Sequence, residues 1–315
     1  MSSTDVDTRL RARHAAPGAT EYMLLIALSL AWGTSFMFTK VAVESVTPVT
    51  LIAVRTVIAT IAMFGLFAFQ GRLPRLTYRE VGAFALVGLT ANAAPLCLIA
   101  ISVSHVPSGV TAVTMAVLPL LTALLGLFRG DVPKPRTIVG ILVGLVGIVV
   151  LFGPKTFASF GDSAMGLASA IGAAVIFAIS LFLVAMVRHR DAVTVTGYSS
   201  VAAALWSVPT ALLIDGSPHF PSTYLAVVSV LVLALWNTAA ANLLLFALVK
   251  RTGPAFTSYN NYLVPAVAVA CGTIFLGEPL TYRSILGVAI VVVGIAISTI
   301  QWRGGGHCRR FSDGW

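Results

Sequence analysis

Ten apolar stretches, each long enough to cross a bilayer, take up most of this 315-residue chain. A helix needs about 20 mostly apolar residues to span the hydrocarbon core. The stretches run over 22–43, 49–69, 81–101, 108–128, 136–153, 164–187, 194–214, 225–248, 254–276 and 283–301. Only 10% of the residues are charged, where a soluble domain carries about 25%. No long hydrophilic segment is left for a separate soluble domain. The expectation is an all-α membrane protein of ten transmembrane helices.

Charge placement gives the orientation. With the N-terminus inside, the inner segments hold 16 of the 20 Lys and Arg, among them Arg72, Arg75, Arg79, Arg188, Arg190, Lys250 and Arg251. The outer segments hold Lys155 and Arg283, and Lys40 and Arg55 fall inside stretches. Short loops rich in Lys and Arg stay in the cytoplasm, so both termini are expected inside, in the plasma (bacterial inner) membrane. The net charge of +9 then reports topology. Nucleic-acid binding would need those bases gathered on one face. Residues 1–20 form a polar cytoplasmic tail without a visible signal peptide, and 303–315 a basic cytoplasmic tail. Cys97, Cys271 and Cys308 have no metal-ligand spacing, and no metal or cofactor is expected.

The ten stretches divide into two halves of five, 21–154 and 163–302. Pro107-Ser108-Gly109-Val110-Thr111 leads to Pro119, and Gly253-Pro254-Ala255-Phe256-Thr257 leads to Pro265. Gly130-Asp131 then matches Gly277-Glu278, Gly140 matches Gly287, and Gly147 matches Gly294. Five is odd, so the second copy enters the membrane from the other side. Such inverted repeats place a substrate site between the halves, near the midplane, and allow alternating access.

These residues, with Ala31-Trp32-Gly33-Thr34-Ser35-Phe36 in the first stretch, Arg55 in the second and Gly277-Glu278-Pro279-Leu280-Thr281, carry a family resemblance. The chain resembles the EamA-like, ten-helix members of the drug/metabolite transporter superfamily from about Tyr22 to Gln301. The resemblance implies two EamA-like repeats and a secondary carrier that exports amino acids, drugs or related metabolites. It also implies that the fifth and tenth helices are peripheral. The sequence departs from the family pattern at Asp131, where Glu is usual, and at Ala170-Ile171-Gly172-Ala173, which lacks the Trp/Thr/Ser cluster.

Candidate working residues stand out as polar groups in apolar runs. A cation in hydrocarbon costs roughly 3 kcal/mol or more, so Arg55 must face protein or water. It either binds an anionic substrate group or serves structure by capping carbonyls or snorkelling. Lys40 and Glu44 are four apart and can pair on one face. Trp32 and Trp236 lie near span centres, away from the interface that membrane tryptophans prefer. The candidate substrate-binding set is Trp32, Thr34, Ser35, Arg55, Asn92, Thr111, Trp236, Asn237, Tyr259, Asn260 and Asn261. Consecutive residues turn by about 100°, so only part of Tyr259–Tyr262 can face one cavity. Pro119 and Pro265 each remove a helix hydrogen bond and are candidate hinges. The glycines of the fifth and tenth stretches suggest close packing within the chain, or in a homodimer.

No Asp or Glu lies deep in a stretch, and all five His fall in loops or tails. Proton coupling through a buried carboxylate is therefore not expected. There is no Walker A motif and no catalytic constellation, so an enzyme is not expected. The leading expectation is an exporter of small polar metabolites, amino acids or related carboxylate-bearing compounds, by alternating access. The alternatives are a multidrug exporter of the same fold and a passive channel or non-transporting membrane protein. Expected partners are a small-molecule substrate and membrane lipid, with no nucleic acid.

Overall fold

The computed structural model describes residues 18–126, 135–158, 162–187, 189–216, 221–257 and 259–299. Among them the regular structure is all helical. The helices are α1 (Ala19–Val43), α2 (Pro48–Phe69), α3 (Tyr78–Val87), α4 (Ala94–His105), α5 (Ser108–Met115), α6 (Leu118–Gly126) and α7 (Pro135–Ala158). They continue with α8 (Asp162–Val184), α9 (Ala192–Ile214), α10 (Tyr224–Ala234), α11 (Ala241–Thr257), α12 (Asn260–Leu276) and α13 (Tyr282–Thr299). Two wide π turns, Gly88–Ala93 and Leu235–Ala240, join α3 to α4 and α10 to α11 without ending the helix. They begin at residues 88 and 235, close to the 146-residue spacing of Thr111 to Thr257 and Pro119 to Pro265.

Local chemistry sets the ends. Thr47 caps α2, accepting from Thr50 N at 3.3 Å, with Pro48 next in line. Glu80 reaches back to accept from Thr77 N at 2.7 Å at the start of α3. Asp191 accepts from Val193 N and Thr194 N at the start of α9. At the end of α12, Gly277 takes φ 64°, the left-handed conformation that glycine adopts without a side-chain clash.

Among the described residues six helices are long and apolar enough to cross a membrane: Ala19–Val43, Pro48–Phe69, Tyr78–His105, Ala164–Val184, Ala192–Ile214 and Tyr224–Val249. Leu263–Leu276 and Ile285–Gly294 are shorter apolar helices. Two expected stretches differ in detail. The one at 108–128 is divided between α5 and α6 by a turn at 116–117, and Pro119 is the second residue of the restarted helix. Proline lacks an N–H, so it fits a first turn better than an interior. α11 runs on to Thr257 and α12 begins at Asn260, so Pro254–Thr257 of the expected ninth stretch lie at the end of α11. Gly130 and Asp131, and the tails 1–17 and 300–315, lie outside the described residues.

The packing is built on small residues. Ala31, Ala42, Ala100, Ala173, Ala203 and Ala268 are fully buried or nearly so, whereas Leu213 is 86% and Ile274 72% exposed. Lipid is as apolar as leucine, so close backbone approach drives association in a bilayer and large side chains can face outward. The α7–α13 pair shows this best. A Cβ on Gly294 would lie 2.6 Å from Gly144 N, and one on Gly147 would lie 2.7 Å from Val291 N. The expected in-chain packing of these glycines is what the fold uses.

The remaining helices pair across the halves. α2 packs along α9, α4 along α8, and α1 along α10 and α12. Ion pairs and hydrogen bonds tie both ends. At the end where α1 begins, Arg72 Nη2 lies 2.8 Å from Asp191 Oδ1, and Arg190 Nη2 lies 2.7 Å from Glu80 Oε2. At the opposite end, Thr50 Oγ1 donates to Asp215 Oδ2 at 2.6 Å.

Candidate functional site

A cavity of about 310 Å³ lies between the halves, at the small end of the range for ligand pockets. Its walls come from α1 to α6, α8, α9, α11 and α12 and from both π turns. Toward the end where α1 begins, the lining reaches Val184, the last residue of α8, and Val195 in the first turn of α9. Toward the other end it stops at Phe36, Ile99 and Ala112. There Glu278 closes the structure. Its Oε1 accepts from Ser108 N at 2.7 Å and its Oε2 from Ser108 Oγ at 2.9 Å. Lys40 Nζ lies 3.7 Å from Glu278 Oε1 and donates to Val106 O at 3.1 Å. Lys40 therefore reaches across the halves and not along α1 to Glu44, because a free helix-start N–H group and Lys40 together hold the carboxylate better than Lys40 alone holds Glu44.

Among the described residues of the lining, Arg55 is the one that is charged. It is 3% exposed. Its Nε donates to Thr238 Oγ1 at 2.7 Å, and Thr238 Oγ1 in turn donates to Leu233 O at 2.8 Å. The π turn makes this chain of bonds possible. Widening the helix by one residue loosens the usual i→i−4 ladder, and the Thr238 hydroxyl takes the carbonyl five residues back. The Nη groups of Arg55 have no hydrogen-bond partner among the described residues, and Arg55 lines the cavity.

The structure brings Trp32, Ser35, Arg55, Asn92, Asn237, Asn260 and Asn261 of the candidate set to this cavity. Asn92 and Asn237 stand on the two π turns. Asn237 Nδ2 donates to Ala31 O and, at 3.1 Å, to Thr34 Oγ1. Asn260 Oδ1 accepts from Ser29 Oγ at 2.9 Å. Pro265 also lines the cavity, inside α12.

Four candidates lie elsewhere. Thr34 donates to Leu30 O at 2.7 Å and backs Asn237 from behind. Thr111 is fully buried between helices, bonded to Ser102 Oγ at 2.8 Å. Trp236 is 40% exposed on the outer face, and Tyr259 is 48% exposed at the end of the bundle, stacked edge-on to Phe256. Trp236 and Asn237 are neighbours, and the helical turn sends them in different directions. The cavity also takes Ser180, Thr196, Ser199, Thr238 and Asn242. Thr196 Oγ1 and Asn237 Oδ1 are buried with no hydrogen-bond partner among the described residues.

The comparisons with known proteins agree with this architecture. The EamA-like transporter family matches residues 19–153 and again 164–300. The chain is 26% identical to the uncharacterized inner membrane transporter YedA of Escherichia coli K12 over 287 residues, covering 88% of this chain and 89% of YedA. It is 21% identical to the uncharacterized transporter YoaV of Bacillus subtilis 168 over 280 residues, covering 88% and 96%. One solved crystal structure, 18% identical, has the same fold with a TM-score of 0.65, covering 90% of this chain and 97% of its own.

Proposed function

This chain belongs to the EamA-like transporter family, and on that premise we propose that it exports small polar metabolites, amino acids or related carboxylate-bearing compounds, across the plasma membrane by alternating access. Membership makes it a membrane transporter; the substrate class and the mechanism are the proposal. One observation carries it: Arg55, deeply buried, anchored through Nε by Thr238, stands on a cavity between the halves with its Nη groups unpartnered. A buried cation without a counter-ion is costly, and a substrate carboxylate offsets that cost.

The mechanism proposed has ten spans in two inverted repeats, 21–154 and 163–302, with both termini cytoplasmic. Support comes from the two family matches, one per half, and from the matched π turns. With the basic loops inside, the cavity opens to the cytoplasm and the Glu278–Ser108–Lys40 cluster closes the outside. This is the state that loads an exported solute. Rocking of the halves about the segments holding Pro119 and Pro265 would break the outer cluster and close the inner end.

Counterflow of labelled amino acids, carboxylates, nucleosides and cationic dyes in proteoliposomes tests the proposal. Saturable exchange of a carboxylate-bearing class, lost in Arg55→Gln, is expected. Saturable exchange of cationic dyes alone, unaffected by Arg55→Gln, would instead select the multidrug alternative.

A further inference from the structure

We propose that the cavity selects organic anions with a single carboxylate, an apolar body and no ammonium group. This rests on the cavity being the substrate site, and it narrows the carboxylate-bearing class given above to monocarboxylates. Charge balance points there. Arg55 brings one positive charge, and no Asp or Glu is among the described lining residues. None of the ten apolar stretches contains an Asp or Glu at any position, and the carboxylates of the helices stand in their first turns, as Glu21 of α1 and Glu80 of α3 do. Lys40, the other cation set inside a stretch and not at its first residue, is already held by Glu278.

The guanidinium edge left free by Thr238 matches a carboxylate, which takes two parallel N–H bonds from one arginine. A bound monocarboxylate leaves the loaded cavity neutral. A zwitterion also satisfies Arg55, but it brings an ammonium into a space with no anion. A dication or amine meets Arg55 directly, and a dianion leaves one charge over. Each of these buries an unpaired charge in a low-dielectric site.

The walls match the rest of the molecule. Phe36, Leu96, Ile99, Met115, Phe177 and Phe246 surround the cavity and suit an apolar body. Two of the amide oxygens that could hold an ammonium are withdrawn. Asn260 Oδ1 is occupied by Ser29, and Asn237 Oδ1 is sealed from solvent.

Calorimetric binding to the full chain in lipid nanodiscs tests this with matched solutes. One set is 3-phenylpropionate, L-phenylalanine and phenethylamine; a second is 4-methylpentanoate and L-leucine. Each carboxylate is expected to bind about tenfold or more tightly than its amino-acid partner, and Arg55→Gln to remove a similar factor, as the loss of charge-assisted hydrogen bonds would. Phenethylamine is expected not to compete. Thr238→Val, which frees Nε and keeps the charge, is the second variant and should weaken the carboxylates severalfold even where Arg55→Gln fails to fold. Amino acids binding as tightly as the carboxylates, and losing affinity in Thr238→Val, would overturn the monocarboxylate class while leaving the transporter reading intact. Binding of no solute to folded protein, or equal carboxylate binding by wild type and both variants, would sink both the monocarboxylate class and Arg55 as a substrate contact.

Discussion

Arg55 shows how one residue can be prominent in a sequence and still hide what it does. A lone arginine in an apolar run demands a polar environment, but its sequence does not say whether that environment is a helix end or a cavity. The answer depends on Thr238, which is 183 residues away and donates onward to a backbone carbonyl. Threonine and serine are poor sequence signals in membrane helices, because their hydroxyls so often satisfy their own helix. Thr196, Ser199 and Thr238 stand outside the candidate set for that reason. Asn92, Asn237 and Asn260 were visible, since an amide cannot satisfy itself in this way. Helical phase decided the rest, and a π turn shifts that phase by an amount no periodicity reveals. Trp236 and Trp32 test the point. Trp236→Ala, on the outer face, should leave counterflow within about twofold, the usual range for a surface change. Trp32→Ala, on the cavity wall, should lower it well beyond that in the same vesicles.

At the scale of elements, the long apolar runs and the glycine matches were legible because composition alone reports them. The division of 108–128 and the run of α11 on to Thr257 were not, since Pro119 and Pro254 are compatible with either a kink or a restart. The α7–α13 pair is held by backbone contact. Gly294→Leu therefore has no flexible neighbour to displace, and it should destabilise the protein by about 1–3 kcal/mol or prevent folding, read as a lowered melting temperature in detergent. The start of α9 gives a second expectation. Asp191→Ala should cost about 1 kcal/mol by removing the helix cap. Burial pushes the Asp191 carboxyl up, but the Thr194 hydrogen bonds and the Arg72 guanidinium outweigh it and hold the group below the usual aspartate range. Its contribution is complete above an unfolded value of about 3.9 and is lost as pH falls through the depressed folded value. The difference in melting temperature between wild type and Asp191→Asn should accordingly be constant near neutrality and shrink in strong acid.

For the whole molecule, the Glu278 cluster is the counterpart of the open end of the cavity. Ser108 and Lys40 belong to the first half and Glu278 to the second, so the halves cannot separate there without exposing the carboxylate. Glu278→Ala should shift the population toward opening at that end. In the proposed orientation, a membrane-impermeant maleimide added outside should then label Ala112→Cys severalfold faster, in a background without Cys97, Cys271 and Cys308. No change in labelling would mean that other contacts close this end. The paired π turns carry a different consequence. Each holds one residue more than an α-helical turn needs, so each half stores a spare position in the middle of a span. Loss of a single codon elsewhere in these helices rotates everything beyond it by about 100°. Within 88–93 or 235–240, the same loss can be absorbed by a return to ordinary α-helix. These two windows are where the length of the gene can change by one residue and still encode a folded bundle, at the expense of the site the surplus residue builds.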